Sequence, residues 1–502
     1  MLFCSLGTCL PSFANAEVRW SAAYVAYAGP YASSPASAFG HVFLVLSPHG
    51  PTPLPLWDVL GFVAETKGAG PFRFVAKGVG GGFSGAYKKS KFHEQTRHYG
   101  ALEDRDIWAV RLQLDPSEIG NLGRAISRTQ GQDYPYLFFT RNCASYLQDL
   151  LASVTPLLPE SSGIVSPVSV FEAITESGIA NGYFYLPSAS TRLTGLAATL
   201  SPIVNDRIET RNWISVAKDT NWVLEQSPSD LAFMREYFPW RALHYDLLLP
   251  RKVQETLRRL RVNGALNARR FREDSSPARV LAIDRKPAFH HYQKMSLAAV
   301  ATGHSEIQIR GRYRPALHEW HDSSVGYRPV NTMEALVVGL SWSSRRPGLQ
   351  LDELTLLSQK ALIPRRWGEA SLSWSLDISG HRGGVLGPEV MQWGIRVGRG
   401  ATKEVGSGLY GYALATGSIL ATAEHGGMFV PGSICGLIWL PPREWRARVE
   451  MDLQQVLGDW PSPSLHLDGR LWRDLGSRFG IQVRGRLASE HALAEVSVSH
   501  YL

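Results

Sequence analysis

The chain has 502 residues, of which 44% are hydrophobic and 19% charged, and it carries a net charge of +8. That length accommodates two or three domains, and the composition excludes a disordered chain. The positive charge is spread too thinly for a nucleic-acid arm; its densest run, Arg251 to Arg272, reads as a solvated helical face with some attraction for anionic lipid head groups.

Met1 to Ala16, MLFCSLGTCLPSFANA, reads as the tail of a secretory signal peptide ending in the Ala14-Asn15-Ala16 cleavage pattern, although the usual positively charged start is missing. Its removal takes Cys4 and Cys9 and leaves Cys143 and Cys435, two distant thiols that do not read as a disulfide framework. No later stretch reaches the apolar length of a membrane helix. Export therefore leaves the periplasm, the exterior or the outer membrane as destinations.

Residues 17–200 have mixed α/β character. Trp20 to Tyr27 is a strand or a helix start, and Gly29 to Ala38, GPYASSPASA, is a small-residue loop suited to close substrate approach. His41 enters Val42-Phe43-Leu44-Val45-Leu46, which is apolar on both faces as a central strand is. Lys77 to Tyr87 is glycine-rich but lacks the Gly-Lys-Ser/Thr of a phosphate loop, so it is a tight turn or flap. Asp106 to Leu114 alternates as a strand, and Pro116 to Thr129 is a helix with Ser117 as the expected N-cap. Phe138 to Leu151, FFTRNCASYLQDLL, then places Cys143 where an extended aromatic segment becomes an amphipathic helix: Leu147, Leu150 and Leu151 stand at i+4, i+7 and i+8. A thiol at a helix N-terminus feels the positive end of the dipole, which favours thiolate. A nucleophilic Cys heading a helix and a His on a facing strand form the minimal thiol catalyst.

Residues 201–300 read as a helical extension, with Asn205 to Leu224 and Ser229 to Phe238 as its helices. Residues 301–502 change to period two. Trp445, Ala447, Val449, Met451 and Leu453 alternate with Arg446, Arg448, Glu450 and Asp452. Phe479, Ile481, Val483, Gly485 and Leu487 alternate with Gly480, Gln482, Arg484 and Arg486. Segments of this kind, parted by Gly/Pro/Asp turns, predict an antiparallel transmembrane β-barrel of ten to twelve strands, with a soluble sandwich as the alternative. His318-Glu319-Trp320-His321 lacks the i, i+4 spacing of a zinc helix and reads as a periplasmic turn. His290-His291 is adjacent and reads as surface. No cofactor or metal motif emerges.

Three of these stretches, SAFGHVFLVL, EDRDIWAVRLQL and YPYLFFTRNCASYLQDLL, together resemble the family of periplasmic domains named after the lipoprotein N-acyltransferase Lnb. ALHEWHDSSVGYRP and the strands after it resemble that family's barrel-bearing members. The resemblance implies an α+β permuted papain-like fold, related to NlpC-type peptidases and to LRAT, with His ahead of Cys. It matches Cys143 to the nucleophile and His41 to the base, while Ser37 and Asn142 fall on motif positions without a fixed role. His41 would take the thiol proton, depress the Cys143 pKa and leave an imidazolium beside the thiolate. A third polar group would orient the imidazole, and His49, Asp58 and Glu65 all stand open for it.

The expectation is an outer-membrane protein with its thiol domain in the periplasm. It would act as an acyltransferase or hydrolase through an acyl-Cys143 intermediate. The expected partners are outer-membrane lipids together with a lipoprotein, phospholipid or peptidoglycan substrate, and no nucleic acid. The alternatives are a cysteine amidase or peptidase acting on wall peptides, and a barrel carrying an idle Cys domain.

Overall fold

A computed structural model describes residues 20–31, 39–65, 77–78, 80–244, 249–271, 280–289, 291–302, 307–322, 325, 330–343, 348–367, 372–383, 390–424, 426–441, 445–457, 463–488 and 492–502. The expected signal peptide, Ser37 and His290 lie outside the described residues.

The N-terminal sheet comprises β1 (Trp20–Ala28), β2 (His41–Pro48), β3 (Asp58–Ala64), β4 (Phe83–Lys91), β5 (Ile107–Leu112), β6 (Tyr134–Tyr136), β7 (Ala180–Leu186) and β8 (Leu281–Ile283). Its order is β6-β4-β3-β2-β1-β5-β7-β8, which puts β2 in the interior between β1 and β3. The alternation of β2 then explains its double apolarity. Val42, Leu44 and Leu46 join one core layer with Val25, Leu60 and Phe62, while Phe43 and Val45 join another with Ala26, Val59 and Phe92.

Helices α1 (Pro116–Thr129), α2 (Cys143–Ala152) and α3 (Pro167–Glu176) pack on the Val42 face. The cap of α1 is Asp115 and not the expected Ser117: its carboxylate accepts from Ser117 N and Glu118 N, at 2.7 and 2.8 Å. Pro116 thereby takes the first helical position, where its missing N–H costs nothing.

The helical extension contains α4 (Ala189–Ala197), α5 (Pro202–Thr210), α6 (Trp213–Lys218), α7 (Thr220–Leu224), α8 (Pro228–Leu243) and α9 (Arg251–Phe271). The Asn205 to Leu224 stretch is thus three helices, because Asn212 and Asp219 each turn the chain and cap the next helix. The basic run forms α9; it buries Val253 and Leu260 and keeps Arg258 and Arg259 on Glu255.

The C-terminal strands are β9 (Lys294–Thr302), β10 (Ile307–Arg314), β11 (Ala316–His318), β12 (Thr332–Ser343), β13 (Gln350–Ala361), β14 (Ser373–Arg382), β15 (Met391–Gly406), β16 (Leu409–Ala421), β17 (Met428–Trp439), β18 (Trp445–Gln454), β19 (Ser464–Asp474), β20 (Phe479–Ala488) and β21 (Ala492–Tyr501). The first of them begins ahead of the expected boundary at 301. β10 and β11 both pair with β12 and form one interrupted strand, and β21 pairs back to β9, so twelve antiparallel strands close a barrel. Its outward side chains are apolar and bare: Leu297, Val449, Met451, Val483, Val496 and Val498 are 43–62% exposed. Its inward ones are polar and ion-paired, as for Arg396 with Asp452 and Arg484 with Asp468. A soluble sandwich does not turn its apolar side outward; a transmembrane barrel does. Among the described residues no helix is long and apolar enough to cross a membrane.

Below the lipid-facing band the two halves touch. Phe39 and Phe139 of the N-terminal domain pack on Ala316, Met333, Ala335 and Leu357 of the barrel. Glu209 accepts from the Trp367 amide at 2.7 Å, and Tyr237 donates to the Trp367 carbonyl at 2.8 Å.

Candidate functional site

Asn142 builds the start of α2. Its Oδ1 accepts from Ala144 N and Ser145 N at 2.9 and 3.2 Å, and its Nδ2 donates to the carbonyls of Phe138 and Val165 at 2.9 and 2.8 Å. One buried amide therefore caps the helix and ties it to two loops. Cys143 follows as the first helical residue, only 5% exposed. The amides of Val42 and Ala144 stand beside its sulfur and favour the thiolate.

His41 occupies the first position of β2, preceded by Gly40 at φ +90°, a conformation that L side chains rarely adopt. A Cβ at Gly40 would also strike the Ala28 carbonyl and the Tyr27 ring. The half-buried His41 ring stacks on Phe43 with centroids 6.0 Å apart and lies 5.8 Å from Tyr99. A Cβ at Gly61 would stand 3.4 Å from His41 Nε2. The structure thus brings the two motifs to consecutive residues, with the sulfur on Val42 and the imidazole on its neighbour. No hydrogen bond joins the thiol to the imidazole directly.

Near both lies a cation that sequence reasoning left unassigned. Arg105 is 3% exposed; its Nη2 donates to the Ala28 carbonyl at 2.9 Å, its Nε to the Gly29 carbonyl, and its Nη1 to Glu103 at 2.7 Å. Its guanidinium carbon sits 4.5 Å from the Tyr99 ring centroid. Glu103 also meets His98 at 3.3 Å, and these partners outweigh burial to hold its carboxyl below the usual range. The signal was the quoted EDRDIWAVRLQL stretch, in which a charged cluster precedes a strand.

Burial dominates the electrostatics. It raises the Cys143 thiol to about 11, against the opposing pull of the Val42 amide and Arg105. It lowers His41 to about 3, and Arg105 pushes the same way. The expected depressed thiol pKa and resting imidazolium are corrected accordingly: both groups rest neutral, because desolvation exceeds the helix-terminus contribution.

Tyr136 was also missed as a site residue. It stands beside the Cys143 thiol at the start of α2, and burial raises its hydroxyl far above the usual phenol range. The three open candidates for orienting His41 stand elsewhere. Asp58 is engaged by Trp20 at 3.0 Å and Lys91 at 2.6 Å, Glu65 is exposed beside Lys88 at 3.9 Å, and His49 is exposed beyond the far end of β2.

The glycine-rich turn serves packing: Phe138 N donates to the Gly78 carbonyl at 2.8 Å, and a Cβ at Gly78 would overlap the Phe138 ring. His291 lies 4.0 Å from Glu172. The HEWH segment leads into a turn as expected, closed by the Asp322 amide on the Glu319 carbonyl at 2.9 Å, but Glu319, Trp320 and His321 are buried inside the barrel end. Among the described residues no cluster of three or more His, Cys, Asp or Glu is placed to hold a metal ion.

Residues 10–177 match the family model of the Lnb N-terminal periplasmic domain, and residues 286–501 match that of a domain of unknown function (DUF7840). No match is found among the curated proteins. Among solved structures the chain is similar to a KdgM porin, at 8% identity over 42% of this chain and 99% of that one, with a TM-score of 0.28. It is also similar to the outer membrane protein Omp33 of Acinetobacter baumannii, at 8% identity over 43% and 100% with a TM-score of 0.25. A third is the COG4313 outer membrane channel from Pseudomonas putida F1, at 12% identity over 44% and 99% with a TM-score of 0.26.

Proposed function

We propose, from the premise of an Lnb-type periplasmic domain joined to an outer-membrane β-barrel, that this protein performs thiol acyl chemistry in the periplasm, as an acyltransferase or hydrolase that holds its acyl group on Cys143. The observation that carries the reading is the seating of the Cys143 sulfur on the Val42 amide, one residue from His41 and under the charge of Arg105. We assign the layout, helix on strand with imidazole ahead of thiol in the chain, to the permuted papain-like arrangement.

At rest the imidazole faces Gly61 and Tyr99; the reading requires it to turn toward the sulfur before the proton moves. The neutral imidazole then takes the thiol proton as sulfur attacks an ester or amide carbonyl. The tetrahedral oxyanion is met by the Tyr136 hydroxyl. When the carbon–oxygen or carbon–nitrogen bond breaks, His41 returns the proton to the leaving group and a thioester remains. In the second half, water or an amine passes a proton to His41 and attacks the thioester; His41 then reprotonates the departing sulfur. His41 and Cys143 carry the chemistry, and Asn142 fixes the helix start. Ser37 keeps its place in the motif without an assigned role.

The favoured acyl source is a lipoprotein or phospholipid, which the membrane anchor brings within reach. The test is incubation of the purified full-length protein with lipoprotein, phospholipid and muropeptides separately, followed by mass spectrometry of the Cys143 peptide. A fatty-acyl adduct that disappears in Cys143→Ala supports the reading. Cleaved muropeptide without such an adduct replaces it with a wall amidase, and no turnover of any of the three sinks the enzymatic assignment.

A further inference from the structure

After β11 the chain does not follow the barrel rim. Glu319, Trp320, His321 and Asp322 turn into the lumen and are 6%, 3%, 0% and 9% exposed. Each grips a different part of the wall. The Glu319 carboxylate accepts from Arg314 of β10 at 2.6 Å and from Lys294 of β9. Asp322 accepts from the Tyr501 hydroxyl of β21 and, at 2.6 Å, from the Glu319 amide. The His321 ring stacks on Trp472 of β19 with centroids 3.8 Å apart, and its carbonyl accepts from Arg446 of β18. The Trp320 indole packs with Tyr410 and Tyr412 of β16 and with Ile434 and Ile438 of β17.

Four consecutive residues thus reach an arc of strands that runs from β16 through β21 to β9 and β10. The end they close is the one where β9 starts, β21 finishes and the N-terminal domain is attached, hence the periplasmic end. The charges they bury cancel, Lys294 and Arg314 against Glu319 and Asp322. A selectivity ring carries one sign of charge facing a water path; a compensated cluster packed on aromatic rings excludes water. Beside this cluster Lys360 of β13 reaches Glu450 of β18 at 2.5 Å, and Arg396 of β15 reaches Asp452 of β18 at 2.8 Å, so salt bridges between strands that are not neighbours span the lumen.

We propose that Glu319–Asp322 is a built-in plug that seals the periplasmic mouth of the barrel, which makes the barrel an anchor and not a conduit. The inference stands independently of the thiol chemistry. The test is conductance of the purified full-length protein in planar lipid bilayers, with folding checked by heat-modifiable gel mobility. The wild type is expected to leave the bilayer at its baseline. Trp320→Gly combined with His321→Gly, which removes both rings from the mouth, is expected to give discrete channel steps. Lys360→Ala, which breaks a lumen bridge and leaves the plug in place, is expected to remain silent. Steady wild-type conductance overturns the proposal and needs no variant to fold. Channel steps from Lys360→Ala alone, or silence from the folded double variant, also overturn it, since something other than the plug would then close the barrel.

Discussion

The amide of Val42 stands beside the sulfur of Cys143 and favours its thiolate, and it lies on the strand face where the helix headed by the thiol packs on the strand headed by His41. It does not make the sulfur reactive at rest. Burial holds the thiol near 11, so on the order of one molecule in three thousand carries thiolate at pH 7.5. In a Cys435→Ser background, alkylation of Cys143 by iodoacetamide is expected to rise roughly tenfold per pH unit from pH 7 to 10. A rate that levels off below pH 8 would mean that a preformed ion pair, absent from this geometry, governs the thiol.

His41 gives a prediction of opposite sign. An unfolded histidine titrates near 6.5, whereas burial and Arg105 lower the folded value to about 3. Between those values the unfolded chain binds the extra proton, so stability rises with pH through the window and is lost as pH falls from about 6.5 toward 3. Limited proteolysis of the N-terminal domain in reconstituted protein is expected to accelerate across that range, and His41→Gln is expected to flatten the dependence. An unchanged profile in His41→Gln would assign the acid sensitivity to another group.

Asn142 separates capping from tethering. Asn142→Ala loses the cap and orphans two carbonyls and two amides, a cost expected to exceed the roughly 1–2 kcal/mol of an ordinary cap. Asn142→Asp keeps the cap acceptor but turns a carboxylate oxygen toward the Phe138 and Val165 carbonyls, which now receive from Nδ2. The aspartate is therefore expected to destabilise the domain as well, although it is a good N-cap elsewhere. Thermal melting followed by Cys143 accessibility checks this; a wild-type melting point for Asn142→Asp would show that the two tethers contribute little.

The legible parts of this molecule were those written in period. Val449 and Met451 alternate with Glu450 and Asp452 because a barrel wall has lipid on one side and ion pairs on the other, and that alternation is visible in one dimension. The Asn142-Cys143 helix start and the doubly apolar β2 were legible for the same reason. Arg105 and Tyr136 were not: each acts at a distance along the chain, on residues met only after β1, β2 and α2 have packed. The burial of Glu319, Trp320 and His321 was not legible, because a turn that folds into the lumen has the composition of one that stays on the rim. The pKa directions were inverted because the dipole argument applies to a helix end in water, and this one is covered by Val42 and its layer.

Arg105 connects these points and yields the sharpest variant pair. Its charge opposes the rise of the Cys143 thiol and adds to the fall of His41, so removing it moves both values upward. Arg105→Gln is expected to slow Cys143 alkylation at pH 9 several-fold and to shift the acid limb of acyl-adduct formation to higher pH. It also leaves Glu103 with His98 as its main cationic partner and strips the Ala28 and Gly29 carbonyls of their donor, a loss of about 3 kcal/mol or more on the scale of a broken buried pair. Arg105→Lys keeps the charge but cannot reproduce the fork that serves Ala28, Gly29 and Glu103 together. It is therefore expected to restore much of the alkylation rate while remaining destabilised. If the lysine variant alkylates as slowly as the glutamine variant, Arg105 acts on the site through the backbone it holds, and its charge is not what the thiol feels.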